Sequence, residues 1–69
     1  MTTQIGIVKW FNTSKGFGFI MPETGGKDLF AHINDVDPSI GPLAENQRVQ
    51  FEVIQGKKGP QASRIRAAA

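Results

Sequence analysis

The run Lys15-Gly16-Phe17-Gly18-Phe19-Ile20 sets two phenylalanines two residues apart beside a lysine. In a strand alternate side chains share a face, so Phe17 and Phe19 project together while Gly16, Gly18 and Ile20 take the other side. Neighbouring flat rings form a surface on which nucleobases stack, and the adjoining ammonium group can meet a phosphate. The plainer reading is that both rings are core. Ile20 argues against it, because inward phenylalanines would send Ile20 to water and leave two glycines to cover the outside. Gly18 between the rings lets another segment of backbone come close.

Two further segments offer matching chemistry. In Leu29-Phe30-Ala31-His32-Ile33 the natural inward set is Leu29 and Ala31, which sends Phe30 and His32 outward. His32 taken alone reads first as an ordinary surface or hydrogen-bonded histidine. In Lys9-Trp10-Phe11-Asn12, an inward Val8 sends Lys9 outward. Simple alternation then turns Trp10 inward, while a bend near Thr13-Ser14 would expose it. Parity leaves that choice open. Together Lys9, Trp10, Lys15, Phe17, Phe19, Phe30 and His32 interleave rings with cations, the composition of a surface for single-stranded nucleic acid. Catalysis finds no comparable constellation. The chain has one histidine and no cysteine, so neither a triad nor a metal site can be assembled by familiar spacing.

These residues need strands to present them. Ile5 to Phe11 is short, β-branched and aromatic, and Phe17 to Met21 follows the Lys15-Gly16 turn. The cluster Pro22-Glu23-Thr24-Gly25-Gly26-Lys27 is a strong turn signal, and Leu29 to Ile33 a third strand. Val49, Phe51 and Val53 alternate with Gln50 and Glu52 in the cleanest period of two. After a turn at 55–60, Gln61 to Arg66 supplies a closing strand. Between residues 34 and 47 strand signals lapse. Pro38 and Pro42 exclude a long helix there, leaving room for one short turn at Asn34 to Val36 capped by Asn34. Five short antiparallel strands in 69 residues predict an all-β fold, a small closed barrel without raw edges.

Length bounds the rest. The chain reads as one domain spanning residues 1–69, with 1–3 and 67–69 frayed. It is small enough to hide only about 60% of its unfolded surface. Without cysteine it has no disulfide, which fits a reducing compartment. No signal segment or membrane span is visible, so a cytoplasmic protein without a membrane partner is expected. Net charge is only +2, unevenly spread. Lys9, Lys15 and Lys27 face one acid, Glu23, in the first 27 residues; Asp28, Asp35, Asp37 and Glu45 fill the middle; Arg48, Lys57, Lys58, Arg64 and Arg66 outnumber Glu52 at the end. Charge alone favours an ordinary solvated surface over a polyanion site.

The segments Gly6-Ile7-Val8-Lys9-Trp10-Phe11-Asn12, Lys15 to Ile20 and Asp28-Leu29-Phe30-Ala31-His32, in that order, resemble the bacterial cold-shock protein family. Residues 15–20 and 29–33 look like its two RNA-binding motifs, and Gly59-Pro60-Gln61-Ala62 is similar to its last turn. The resemblance covers nearly the whole chain. It implies a five-stranded antiparallel oligonucleotide-binding barrel (OB-fold) that binds single-stranded RNA and DNA with low sequence selectivity. It also implies RNA-chaperone or transcription-antiterminator activity, no cofactor, no small-molecule substrate, and a monomer, with a dimer as the alternative. Carried onto matching positions, the binding residues are Lys9, Trp10, Phe11, Asn12, Lys15, Phe17, Phe19, Phe30, His32 and Lys58, with Trp10 exposed.

The chain departs from the family twice. Ile33 stands where an aromatic is usual, and the loop Asp37 to Leu43 is one residue short and carries no ring. No aromatic lies between Phe30 and Phe51. Weaker binding or a shorter footprint is the expected consequence. Two rivals are separable. An RNA-recognition-motif domain needs two packed helices, more residues and the opposite motif order. A barrel binding a protein through the same patch would lack affinity for oligothymidine.

Overall fold

The alternation of Val49, Phe51 and Val53 with polar residues becomes β4 (Arg48–Gly56), in which Val49 and Phe51 are fully buried and Val53 packs partly against the same cluster. The computed structural model describes residues 3–57 and 59–68. The other strands are β1 (Thr3–Asn12), β2 (Phe17–Pro22), β3 (Leu29–His32) and β5 (Gly59–Ala67). They close in the order β1-β2-β3-β5-β4, every neighbour antiparallel except β3 with β5. This is the all-β five-stranded barrel that the sequence predicts, with one parallel seam it did not reveal. Among the described residues no helix is long and apolar enough to cross a membrane.

Closure depends on β1 serving two neighbours. Thr3 to Ile7 pair with Glu52 to Arg48 of β4, and Gly6 to Asn12 pair with Pro22 to Phe17 of β2. Gly6 sits where both ladders overlap. A Cβ there would come within 2.6 Å of the Met21 carbonyl oxygen and 3.0 Å of the Phe51 ring. Two register shifts bend the wall. One lies between Val8 and Trp10, the other opposite Gln50 and Glu52 on β5, where Arg64 takes φ 51°. An extra residue in one strand sharpens local twist and curvature, which a barrel this small requires.

Val8, Ile20, Leu29, Ala31, Val36, Leu43, Val49, Phe51, Ala62 and Ile65 form one buried cluster. Each of its large members contributes about 1.5–3 kcal/mol by leaving water. Leu29 and Ala31 point inward as expected, and Ile20 is fully buried.

Two details differ from the sequence reading, and the loop at 37–43 gains a definite structure. Thr3 and Ala67, expected to fray, are paired with Glu52 and Val49. The short turn is a 3-10 turn at Ile33–Asp35, and its cap is His32 rather than Asn34. The loop at 37–43 is fastened within itself and to the core. Asp37 Oδ1 accepts from the Ser39 N–H at 2.9 Å, a bond that holds the Asp37 carboxyl below the usual carboxylate range. Ile40 and Leu43 reach back to the core.

Candidate nucleic-acid interface

On β2, Gly18 and Ile20 are buried while Phe17 and Phe19 are half-exposed, so the rings lie outside the barrel. Gly18 has no room for a side chain. A Cβ would strike the Trp10 carbonyl oxygen and fall 2.8 Å from Phe11 Cδ1. The glycine that separates the two rings thus brings β1 against β2.

The register then assembles the surface. Phe17 is paired with His32, and Phe19 with Phe30 and Trp10. Ring centroids are 5.3 Å apart for Trp10–Phe19, 5.9 Å for Trp10–Phe17, 5.7 Å for Phe17–Phe30, 5.9 Å for Phe19–Phe30 and 6.4 Å for Phe30–His32. Three strands therefore lay five rings edge to edge. Such ring pairs prefer offset or edge-to-face geometry at these distances, and each gains about 0.5–1.5 kcal/mol beyond its buried area. Mutual contact fixes the rings before any ligand arrives.

Trp10 is 37% exposed, as the resemblance implied. The cause is the bulge: Lys9 is the extra residue of β1, so both Lys9 and Trp10 turn outward before alternation resumes. Phe11 consequently lies on the inner side, half-buried against the core and beside Gly18. Phe11, placed among the binding residues by resemblance, thus packs partly against the core behind Gly18.

Asn12 and His32 have structural work. Asn12 Oδ1 accepts from the Lys15 N–H at 2.9 Å and its carbonyl from the Gly16 N–H, closing the turn that leads to β2. His32 Nδ1 accepts from the Asn34 N–H at 3.1 Å, which orients the ring and turns Nε2 away from the turn. The bland role considered for His32, a hydrogen-bonded surface residue, is therefore real, and its ring also abuts Phe30. Lys15 is exposed, two residues before Phe17 in the turn that Asn12 closes. Lys9 Nζ is held by Asp28 Oδ2 at 2.9 Å, a partner that sequence separation concealed. Lys58 lies outside the described residues.

Ile33 leaves the strand pattern altogether. It is 39% exposed at the start of the 3-10 turn, next in the chain to His32, and with Val36, Asp37, Pro38, Gly41 and Pro42 it lines a shallow, mostly apolar cleft. No group of three or more metal-ligating side chains occurs among the described residues.

Residues 4–68 match the family model described as 'Cold-shock' DNA-binding domain. The chain is similar to the cold shock-like protein CspA of Bordetella pertussis (strain Tohama I), with 56% identity over 63 residues, 90% of this chain and 94% of that protein. It is similar to the cold shock protein CspV of Vibrio cholerae serotype O1, 54% identical over 65 residues, 93% of each. The cold shock-like protein CspE of Escherichia coli (strain K12) is 54% identical over 61 residues, 87% of this chain and 88% of that one. Among solved structures, drosophila Unr CSD456 matches with a TM-score of 0.82 and 26% identity over 99% of this chain, which spans 27% of that longer chain.

Proposed function

The chain belongs to the cold-shock domain family, a family of nucleic-acid-binding domains, and on that footing we propose that its ring-bearing face binds single-stranded RNA and DNA with low sequence selectivity. The observation that carries this reading is the contiguous outer ladder of Trp10, Phe19, Phe17, Phe30 and His32, flanked by Lys9 and Lys15. Every base has a flat π-face, so stacking tolerates any sequence, while cations on the margin meet the phosphates common to all. A duplex hides its base faces; a single strand offers them. Binding that favours the open strand shifts hairpin equilibria towards it by mass action, which is the work of an RNA chaperone and of an antiterminator. No catalytic step, cofactor or metal is involved. The unit that acts is one barrel, working in the cytoplasm. Lys9, Trp10, Lys15, Phe17, Phe19, Phe30 and His32 make the contacts; Phe11 and Asn12 hold them in place; Lys58 adds a phosphate contact.

Trp10 reports on this directly, since it is the single tryptophan and the chain has no tyrosine. Oligothymidine is expected to quench its emission on binding. Repeating the titration across salt concentrations should give a log–log slope of about −2 to −3, as three or four neutralised phosphates require. Binding detected by calorimetry without any change in Trp10 emission would place the site elsewhere, and no binding at either salt would reject a nucleic-acid function for this face.

A further inference from the structure

Met21 is the most exposed of the large apolar side chains among the described residues, at 47%. It continues the outward row of Phe17 and Phe19 on β2, two residues and therefore about 7 Å beyond Phe19. Its partner across β1 is Ile7, which also faces outward and is half-buried. Isolated apolar residues on a surface need no explanation, but this pair extends a surface already lined with rings.

Two ion pairs frame it. Lys9 flanks β2 at the bulge between Val8 and Trp10, and Asp28 immediately precedes Leu29, the partner of Ile20; their 2.9 Å contact therefore crosses β2 near Ile20, between the outward side chains of Phe19 and Met21. On the other side Glu23 Oε2 accepts from Arg48 Nε at 2.9 Å. Arg48 is paired with Ile7, and the Glu23 N–H donates to the Ile5 carbonyl, so this contact crosses β1 between Ile5 and Ile7. An apolar floor of Ile7 and Met21 thus has a cation at each margin. Both cations belong to solvent-exposed pairs, which hold only weakly in water, so exchanging a carboxylate for a phosphate costs little.

The geometry points to a further base position on Ile7 and Met21, reached past the Lys9–Asp28 pair, for the same single strand that crosses the rings. This rests on the function proposed above. A flexible thioether adapts to any base and makes favourable contacts with aromatic faces. Lys9 then serves the phosphate joining the base on Trp10 and Phe19 to the base on Met21, and Arg48 the phosphate beyond.

The test uses oligothymidines lengthened one nucleotide at a time, with the protein labelled at its methionine methyl groups; Met21 and Met1 are the two methionines. Short oligomers that already quench Trp10 should leave the Met21 methyl resonance in place. At one further length it should move upfield under the ring current of the added base, with an affinity gain of about two- to tenfold. Met21→Thr, which keeps a good strand former at a surface position, should remove that last gain and preserve the earlier ones. A Met21 resonance unmoved by the longest oligomer, or a Met21→Thr protein with an unchanged length profile, overturns the assignment while the ring site stands. Failure of every length to bind overturns both.

Discussion

Trp10 lies opposite Phe19, whereas Val8 lies opposite Ile20, so a single inserted residue, Lys9, turns the indole out of the barrel. In a regular ladder Lys9 would take the place opposite Phe19, and Trp10, opposite Gly18, would share the inward parity of Val8. One local irregularity therefore delivers the largest ring to the surface, exposes Lys9 beside it and returns Phe11 to the interior side. Gly18 completes the device, because the Trp10 carbonyl and the Phe11 ring occupy the space a side chain there would need.

The outward and inward phenylalanines should separate cleanly. Phe17→Ala, Phe19→Ala and Phe30→Ala are each expected to weaken oligothymidine binding by about 1–3 kcal/mol. Their thermal stability should fall less than that of Phe51→Ala, since Phe51 is wholly buried and deleting such a ring costs about 3–5 kcal/mol. Phe51→Ala that is still folded should bind almost normally. Melting curves set beside binding curves check both halves; a Phe19→Ala protein that melts early yet binds fully would reverse the assignment of faces.

The pairing of Lys9 with Asp28 makes a charge prediction. Asp28→Asn frees the Lys9 ammonium and removes a carboxylate from the margin of the ring surface. Stability should hardly change, because exposed pairs contribute about 0–1 kcal/mol. Affinity for oligothymidine should rise by up to about fivefold at low salt, and the gain should shrink as ions screen the exposed charges. If Asp28→Asn binds more weakly instead, the carboxylate contacts the base and Lys9 is not restrained by it.

A second bulge predicts stability rather than binding. Arg64 sits at φ 51°, a conformation that costs ordinary residues about 1–2 kcal/mol and that asparagine tolerates. Arg64→Asn should therefore stabilise the barrel by up to about 1 kcal/mol, raising Tm by about 4–8 °C in a domain this size. Arg64→Val, β-branched at the same position, should lower it. Equal melting temperatures for the three proteins would mean that the bulge relaxes freely.

Strand identity and the two faces of β2, β3 and β4 were legible because alternation is a local property that Ile20, Leu29, Ala31 and Phe51 declare individually. Bulges defeat that logic. Lys9 and Arg64 each shift parity by one, and nothing in their residue types announces an inserted position. The pairing of Thr3 and Ala67 was hidden for another reason: whether an end frays depends on the strand beside it, here β4, and not on the end itself. His32 capping the 3-10 turn and Asp28 holding Lys9 are likewise contacts made by the fold, between residues whose types allow many partners. The site was more legible than its supports, since stacked rings and cations are recognisable by composition, whereas the hydrogen bonds of Asn12 and His32 require the turn geometry to exist first.

Ile33 offers the sharpest test of the missing rings. Plain alternation along Leu29, Ala31 and Ile33 would bury it, but β3 ends at His32 and the 3-10 turn begins at Ile33, which frees it from strand parity. Its side chain is 39% exposed and faces the cleft of Val36, Pro38 and Pro42, next to the end of the ring ladder. A ring placed there would extend the ladder past His32 by one stacking position. Ile33→Phe should fold normally, since the cleft is open to solvent, and the new stack should strengthen oligothymidine binding by about 1–3 kcal/mol. The strain to overcome is local, because Ile33 Cγ2 already stands 3.1 Å from where a Cβ on Gly16 would be, and that glycine leaves the space unfilled. Pro38 and Pro42 stiffen the far wall and reduce its ordering cost by only about 0.4–1 kcal/mol, less than a full stack, so their presence does not substitute for the ring. Titrations of both proteins with the same oligomer at one salt concentration decide the matter. An Ile33→Phe protein that melts like the parent and binds no more tightly would put the strand's path away from this cleft.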